Sequence, residues 1–136
     1  MTYIVVDASI WVSRLVPQDE FHDRCKAWLS SQRSNDVILI SPSLLLAEVA
    51  GAISRRTKDI RLAEHTIEVL NHLPGLRLID MDQTLIESAA KLAAGLRLRG
   101  ADSIYVEVAR HLNIPLATLD EDQRVKADKI VSIEVV

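Results

Sequence analysis

Five short strand-like runs punctuate this chain, and the segments between them carry helical periodicity. The runs are YIVVD at 3–7, VILI at 37–40, LRLI at 76–79, IPLAT at 114–118 and KIVSIEV at 129–135. The first two are apolar up to the acid that closes the first, the pattern of strands covered on both faces. Strands that alternate with helices predict an α/β layered domain with a mostly parallel five-stranded sheet. The expected helices span 8–15, about 19–32, 42–56, 59–72, 82–96 and 102–112. Ser41 and Pro42 suit a cap and a first helical position, and Asp59 and Asp82 suit caps. Arg55 and Arg56 suit a helix C-terminus, and Pro74-Gly75 breaks the fourth helix.

A chain of 136 residues, 49% of them hydrophobic, fits one domain over 1–136 and buries a sizeable core without covalent staples. No apolar run approaches the roughly 20 residues needed to cross a bilayer. The N-terminus lacks a basic-then-apolar leader, because YIVV runs directly into an acid, so a cytoplasmic protein is expected. Cys25 is the only cysteine, which excludes an internal disulfide and a cysteine-rich zinc site. Its helical spacing with Phe21, Trp28 and Leu29 predicts a small buried hydrophobe. The net charge of −3 speaks weakly against nucleic acid as a partner, unless a bound cation cancels part of the acidity.

Four acids stand at the seams of this pattern. Asp7 closes the first strand, Asp120 follows the fourth, Asp102 opens a helix, and Glu48 lies within SLLLAEVAGAI. Asp7 and Asp102 each read equally as helix caps, and Asp120 as a turn residue in TLDEDQ. Glu48 is harder to explain locally, since its neighbours at helical spacing are Leu44, Leu45, Gly51 and Ala52. In open parallel sheets, ligands gather outside the carboxyl ends of the strands, and that rule brings all four acids to one edge. Two like charges about 4 Å apart repel by about 4 kcal/mol at an effective dielectric near 20, so such a cluster needs protons or hard cations. An oxygen-only donor set favours Mg²⁺ or Mn²⁺ over zinc. The four histidines, His22, His65, His72 and His111, lie on different helices at no zinc-like spacing.

With these residues in view, the chain resembles the PIN domain, in the small form found as VapC-like toxins of toxin–antitoxin pairs. The likeness is carried by IVVDASIWVSRLV, by LLLAEVAGAISRR and by LRLRGADSIYVEVARHLNIPLATLDEDQ, over nearly the whole length. It implies an α/β/α sandwich and an acidic quartet at Asp7, Glu48, Asp102 and Asp120. Ser9 matches a small polar position supporting the first acid, and Thr118 a hydroxyl two residues before the last. Asp122 is the reserve metal ligand, with Glu121 beside it. The resemblance implies a ribonuclease using one or two Mg²⁺ or Mn²⁺ ions, in which Asp7, Asp102 and Asp120 bind metal. Glu48 would bind through water or orient the attacking water. A homodimer and a small antitoxin partner are also implied.

A polyanionic substrate requires basic residues along its approach; Arg97 and Arg99, then Arg14, are the candidates for phosphate contact. The competing readings are a PIN nuclease of RNA processing or DNA repair, a phosphoacceptor of receiver type, and a binding module without catalysis. A receiver wants an acidic pair near strand one and a Lys after strand five, but strand one ends in a single Asp and no Lys is so placed. An aspartyl phosphatase wants a second Asp two residues after the first, where this chain has Ser9.

Overall fold

A computed structural model describes residues 1–136. In chain order it runs β1 (Tyr3–Val6), α1 (Ala8–Leu15), α2 (His22–Ser34), β2 (Ile38–Pro42), α3 (Leu44–Thr57) and α4 (Ile60–Asn71). It continues through β3 (Leu76–Ile79), α5 (Gln83–Leu96), α6 (Gly100–Leu112), β4 (Leu116–Ala117) and α7 (Glu121–Ala127). The four strands lie in the order β3-β2-β1-β4, and every neighbouring pair is parallel. Helices flank this sheet in an α/β/α arrangement: α6 packs on β1, β2 and β4 with α5 against it, and α3 joins β2 to α4 and α1. No helix is long and apolar enough to cross a membrane.

Strand order decides where a ligand belongs. From β1 the chain builds outward to β2 and β3, then returns to place β4 on the opposite side of β1. The crevice beyond the carboxyl ends of β1 and β4 is therefore the topological switch point, the usual binding edge of a parallel sheet. Val6 pairs with Ala117 across that junction, and Asp7 N donates to Ala117 O at 2.9 Å. The ladder thus delivers Asp7 and Thr118 side by side at the mouth of the crevice.

Several expected boundaries move. Residues 129–135 do not form a fifth strand; they meet β4 at one parallel bridge, Leu116 to Ile133. Leu116 N donates to Ser132 O and Glu134 N to Leu116 O, each at 2.9 Å. The reason is that β4 is only two residues long and offers no ladder beyond that bridge; Val131 and Ile133 still pack on the core. Ser41 is not a helix cap. Pairing of Pro42 with Ile79 carries β2 past it, and its buried Oγ donates to Val6 O at 2.6 Å, so α3 starts at Leu44. Helix α2 begins at His22 rather than near 19, and α6 at Gly100 rather than 102, with Arg97 in the left-handed conformation (φ 58°) ending α5.

The core is one cluster of 25 buried residues that includes Cys25. Leu45, Val49 and Ile53 of α3 are each 0% exposed and form the apolar stripe from which the helix presents Glu48 toward the crevice. Leu45→Ala is expected to lower the unfolding free energy by about 2–5 kcal/mol in a denaturant titration, through lost burial and a residual cavity.

Candidate metal centre

Asp7 is the N-cap of α1: it follows β1 with extended backbone, and its Oδ2 accepts from Ser9 N at 3.1 Å. The same Oδ2 lies 3.1 Å from Thr118 Oγ1, whose hydroxyl also faces Gln123 Oε1 at 3.1 Å. One hydroxyl carries one proton, so Asp7 and Gln123 compete for it. Ser9 contributes twice, since its Oγ also accepts from Leu119 N at 3.1 Å and ties the β4 exit to α1. Asp120 is the N-cap of α7, with Oδ1 accepting from Gln123 N at 2.9 Å. Asp7 is thus the cap expected of it, and Asp120, expected as a turn residue, is also a cap; each bond occupies one carboxylate oxygen and fixes the side chain's direction.

Asp102 does not cap its helix. The N-cap is Arg99, which makes no cap bond, and Asp102 stands in the first turn of α6 where the helix dipole favours an anion. Its Oδ2 accepts from Arg99 Nε at 2.9 Å, and Arg99 Nη2 also donates to Asp120 Oδ2. Glu48 reaches the crevice from the second turn of α3, where Tyr105 Oη donates to its Oε1 at 2.6 Å. Tyr105 is fully buried, and burial together with the Glu48 charge drives its phenol pKa far upward, so it acts only as a donor.

The electrostatics show that three of these acids share one field. Burial raises the Asp7 pKa; the Ser9 and Thr118 hydrogen bonds oppose the rise and the Asp102 charge adds to it. Burial also raises Glu48, with the charges of Asp7 and Asp102 adding and the Tyr105 bond opposing. Asp102 is raised by burial and by the Asp120 and Asp122 charges, against the pull of Arg99. Even so, no three His, Cys, Asp or Glu side chains close into a preassembled cation cage. The donors that remain are nonetheless those a hard cation takes: Glu48 Oε2 and Asp102 Oδ1 make no hydrogen bond within the protein, and both bonds to Asp7 fall on Oδ2. An all-oxygen set, with a guanidinium already drawn between two of its members, is of the chemistry that fits a divalent cation.

The other sequence candidates separate. Glu121 pairs with Arg124 at 2.6 Å and Asp122 with Lys126 at 2.9 Å, both along the exposed face of α7. Arg97 is exposed near the crevice, and its carbonyl accepts from Lys126 Nζ at 2.8 Å. Arg14 is not with them: it lines a cavity with Met1, Trp11, Arg33, Leu73 and Gly75, at the amino ends of the strands. Arg56 pairs with Asp19 at 2.9 Å.

Two residues escaped the sequence reading, Tyr105 and Gln123. Gln123 is 0% exposed, and its Nε2 donates to the Asp102 carbonyl at 3.3 Å, so it links the cap of α7 to the first turn of α6. A signal for it existed: Asp120 followed three residues later by Gln123 is a capping-box pattern, which would have placed α7. Here the glutamine side chain turns to Thr118 and Asp102 instead of closing the box.

Two predictions rest on this geometry. Because the folded Asp7 pKa lies above its ordinary value of 3.8, the folded chain holds a proton that the unfolded chain releases in that window. Ionised Asp7 thus subtracts stability at neutral pH, and the penalty fades as pH falls through the raised value. Asp7→Asn is expected to raise Tm by a few degrees at pH 7 in EDTA, with the gain shrinking toward pH 4 in parallel melts. Tyr105→Phe strands the Glu48 carboxylate without its donor and is expected to cost about 1–3 kcal/mol in chemical denaturation.

The PIN domain family model matches residues 4–129. No curated protein sequence matches the chain. Among solved structures it is similar to VapC20, the sarcin-ricin loop cleaving toxin of Mycobacterium tuberculosis, at TM-score 0.80 and 20% identity, covering 97% of this chain and 99% of that one. It is also similar to FitAcB of Neisseria gonorrhoeae, at TM-score 0.70 and 21% identity, with 96% of each chain covered. A third likeness, at TM-score 0.71 and 18% identity over 98% of both chains, is to VapBC2 of Rickettsia felis bound to a DNA fragment from their promoter.

Proposed function

Because the chain belongs to the PIN domain family, we propose that it is a Mg²⁺- or Mn²⁺-dependent endoribonuclease and the toxin of a toxin–antitoxin pair. The observation that supports this reading is geometric: Asp7 follows β1, Asp102 and Asp120 share Arg99, and Glu48 is held by Tyr105 of the Asp102 helix, at the switch point of a parallel sheet. That arrangement costs stability without a cation and serves no core. Asp7, Asp102 and Asp120 would hold the ion, with Glu48 behind them. When bound, the ion supplies charge for a phosphate oxygen and acidifies a water for in-line attack.

The protein's own share is positional. Thr118, Ser9 and the α1 cap fix Asp7, the α7 cap fixes Asp120, and Tyr105 fixes Glu48 through one oxygen, leaving the other without a partner in the protein and able to accept a proton from an attacking water. Arg97, exposed between α5 and α6, would offer the phosphate backbone a cationic contact.

A toxin role is supported by the likeness to VapC20, a toxin that cleaves the sarcin-ricin loop, and to toxin–antitoxin assemblies such as VapBC2. On this reading the protein works in the cytoplasm as a homodimer and is restrained by a small antitoxin. Purified protein incubated with total RNA is expected to cleave it with Mg²⁺ or Mn²⁺ and not with EDTA. Asp102→Asn is expected to fold, as judged by its melt, yet lose at least about 100-fold in cleavage rate. Equal cleavage by wild type and Asp102→Asn would remove the assignment.

A further inference from the structure

Resting on the metal-centre reading, we propose that Arg99 is a resident counter-ion of this site. The divalent cation displaces it on entry, and the released guanidinium then takes the substrate's phosphate. Arg99 is the N-cap residue of α6, where the helix macrodipole opposes a positive charge, and it makes no capping bond. Anions nonetheless hold its guanidinium at that end of the helix. Two do so, and they come from different elements: Asp102 in the first turn of α6 and Asp120 at the cap of α7. No other basic side chain bonds to either acid, and the contacts consume Oδ2 of both.

The exchange follows from charge and exposure. A cation held between Asp102 and Asp120 must take those Oδ2 atoms or sit against the guanidinium, and two cations in contact repel. Arg99 can yield because its side chain is 68% exposed, against 13% for Asp102 and 26% for Asp120: the acids are anchored and the arginine is not. Once freed, it remains tethered at the rim of the crevice, where its planar fork matches a phosphate in two-pronged fashion. Arg99 therefore lowers cation affinity in the resting protein and raises RNA affinity in the loaded one. Cation and RNA binding become mutually reinforcing through a single side chain.

Calorimetric titration of Mn²⁺ into wild type and Arg99→Gln tests this without reading activity. The proposal requires Arg99→Gln to bind Mn²⁺ about three- to tenfold more tightly, the range expected when a two-contact, largely exposed ion pair no longer competes. Arg99→Lys, which keeps the charge without the fork, is expected to fall between the two. In a parallel measurement with a short all-oxygen RNA, kept cold and checked by gel to remain uncut, Mn²⁺ should strengthen binding to wild type more than to Arg99→Gln, and an equal gain overturns the phosphate half of the proposal. If Arg99 merely braced the two acids, the glutamine variant would bind Mn²⁺ more weakly. Equal or weaker binding, with wild type binding normally, overturns this inference alone. Absence of Mn²⁺ binding by wild type overturns it together with the metal-centre reading beneath it.

Discussion

Like charge brought together in a partly desolvated crevice is the constraint around which this molecule is arranged. Asp7, Glu48 and Asp102 each have their pKa raised by burial, and the charges of their neighbours add to the rise. The fold counters this locally, with a threonine hydroxyl and a backbone amide on Asp7, a buried tyrosine on Glu48 and an arginine on Asp102. Each of these groups satisfies one oxygen and leaves the field of the others in place. What remains is negative charge along this edge that the Arg99 guanidinium meets in part.

The scaffold makes that convergence possible with few parts. Parallel pairing of β1 with β4 aligns Val6 with Ala117, so the next residue on each strand, Asp7 and Thr118, arrives already adjacent. The following helices are capped by the same acids that face the crevice, so a single side chain both starts a helix and presents an oxygen outward. Beneath them Leu45, Val49 and Ile53 of α3 and Tyr105 and Val106 of α6 are fully buried, so each of these helices is seated on the core. Precision at the rim is thus inherited from the core. Gln123, buried with a polar head, joins the two acid-bearing helices where apolar packing cannot reach.

Much of this was legible in the sequence. Short apolar runs gave the strands of the sheet, and Asp7 and Asp120 lie at its carboxyl edge as expected, because strand ends and helix starts coincide in this class of fold. The fifth strand was not legible, since KIVSIEV has the alternation of a strand but meets a neighbour only two residues long. Ser41 looked like a cap because Ser-Pro commonly begins a helix, yet pairing with β3 kept it in the sheet. Arg14 shares a helix with Asp7 but lies at the other edge, a separation set by the length of α1 that residue type does not reveal. Tyr105 drew no reading from the sequence, and only the three-dimensional meeting with α3 gives its hydroxyl a partner.

The most direct test of the central claim is paramagnetic broadening of backbone amide signals on addition of sub-stoichiometric Mn²⁺. The account predicts selective loss of signals from residues around Asp7, Glu48, Asp102 and Thr118 to Asp120, with the amino-end edge of the sheet around Gly75 unaffected. Broadening centred elsewhere, or spread evenly over the acidic surface, would contradict it.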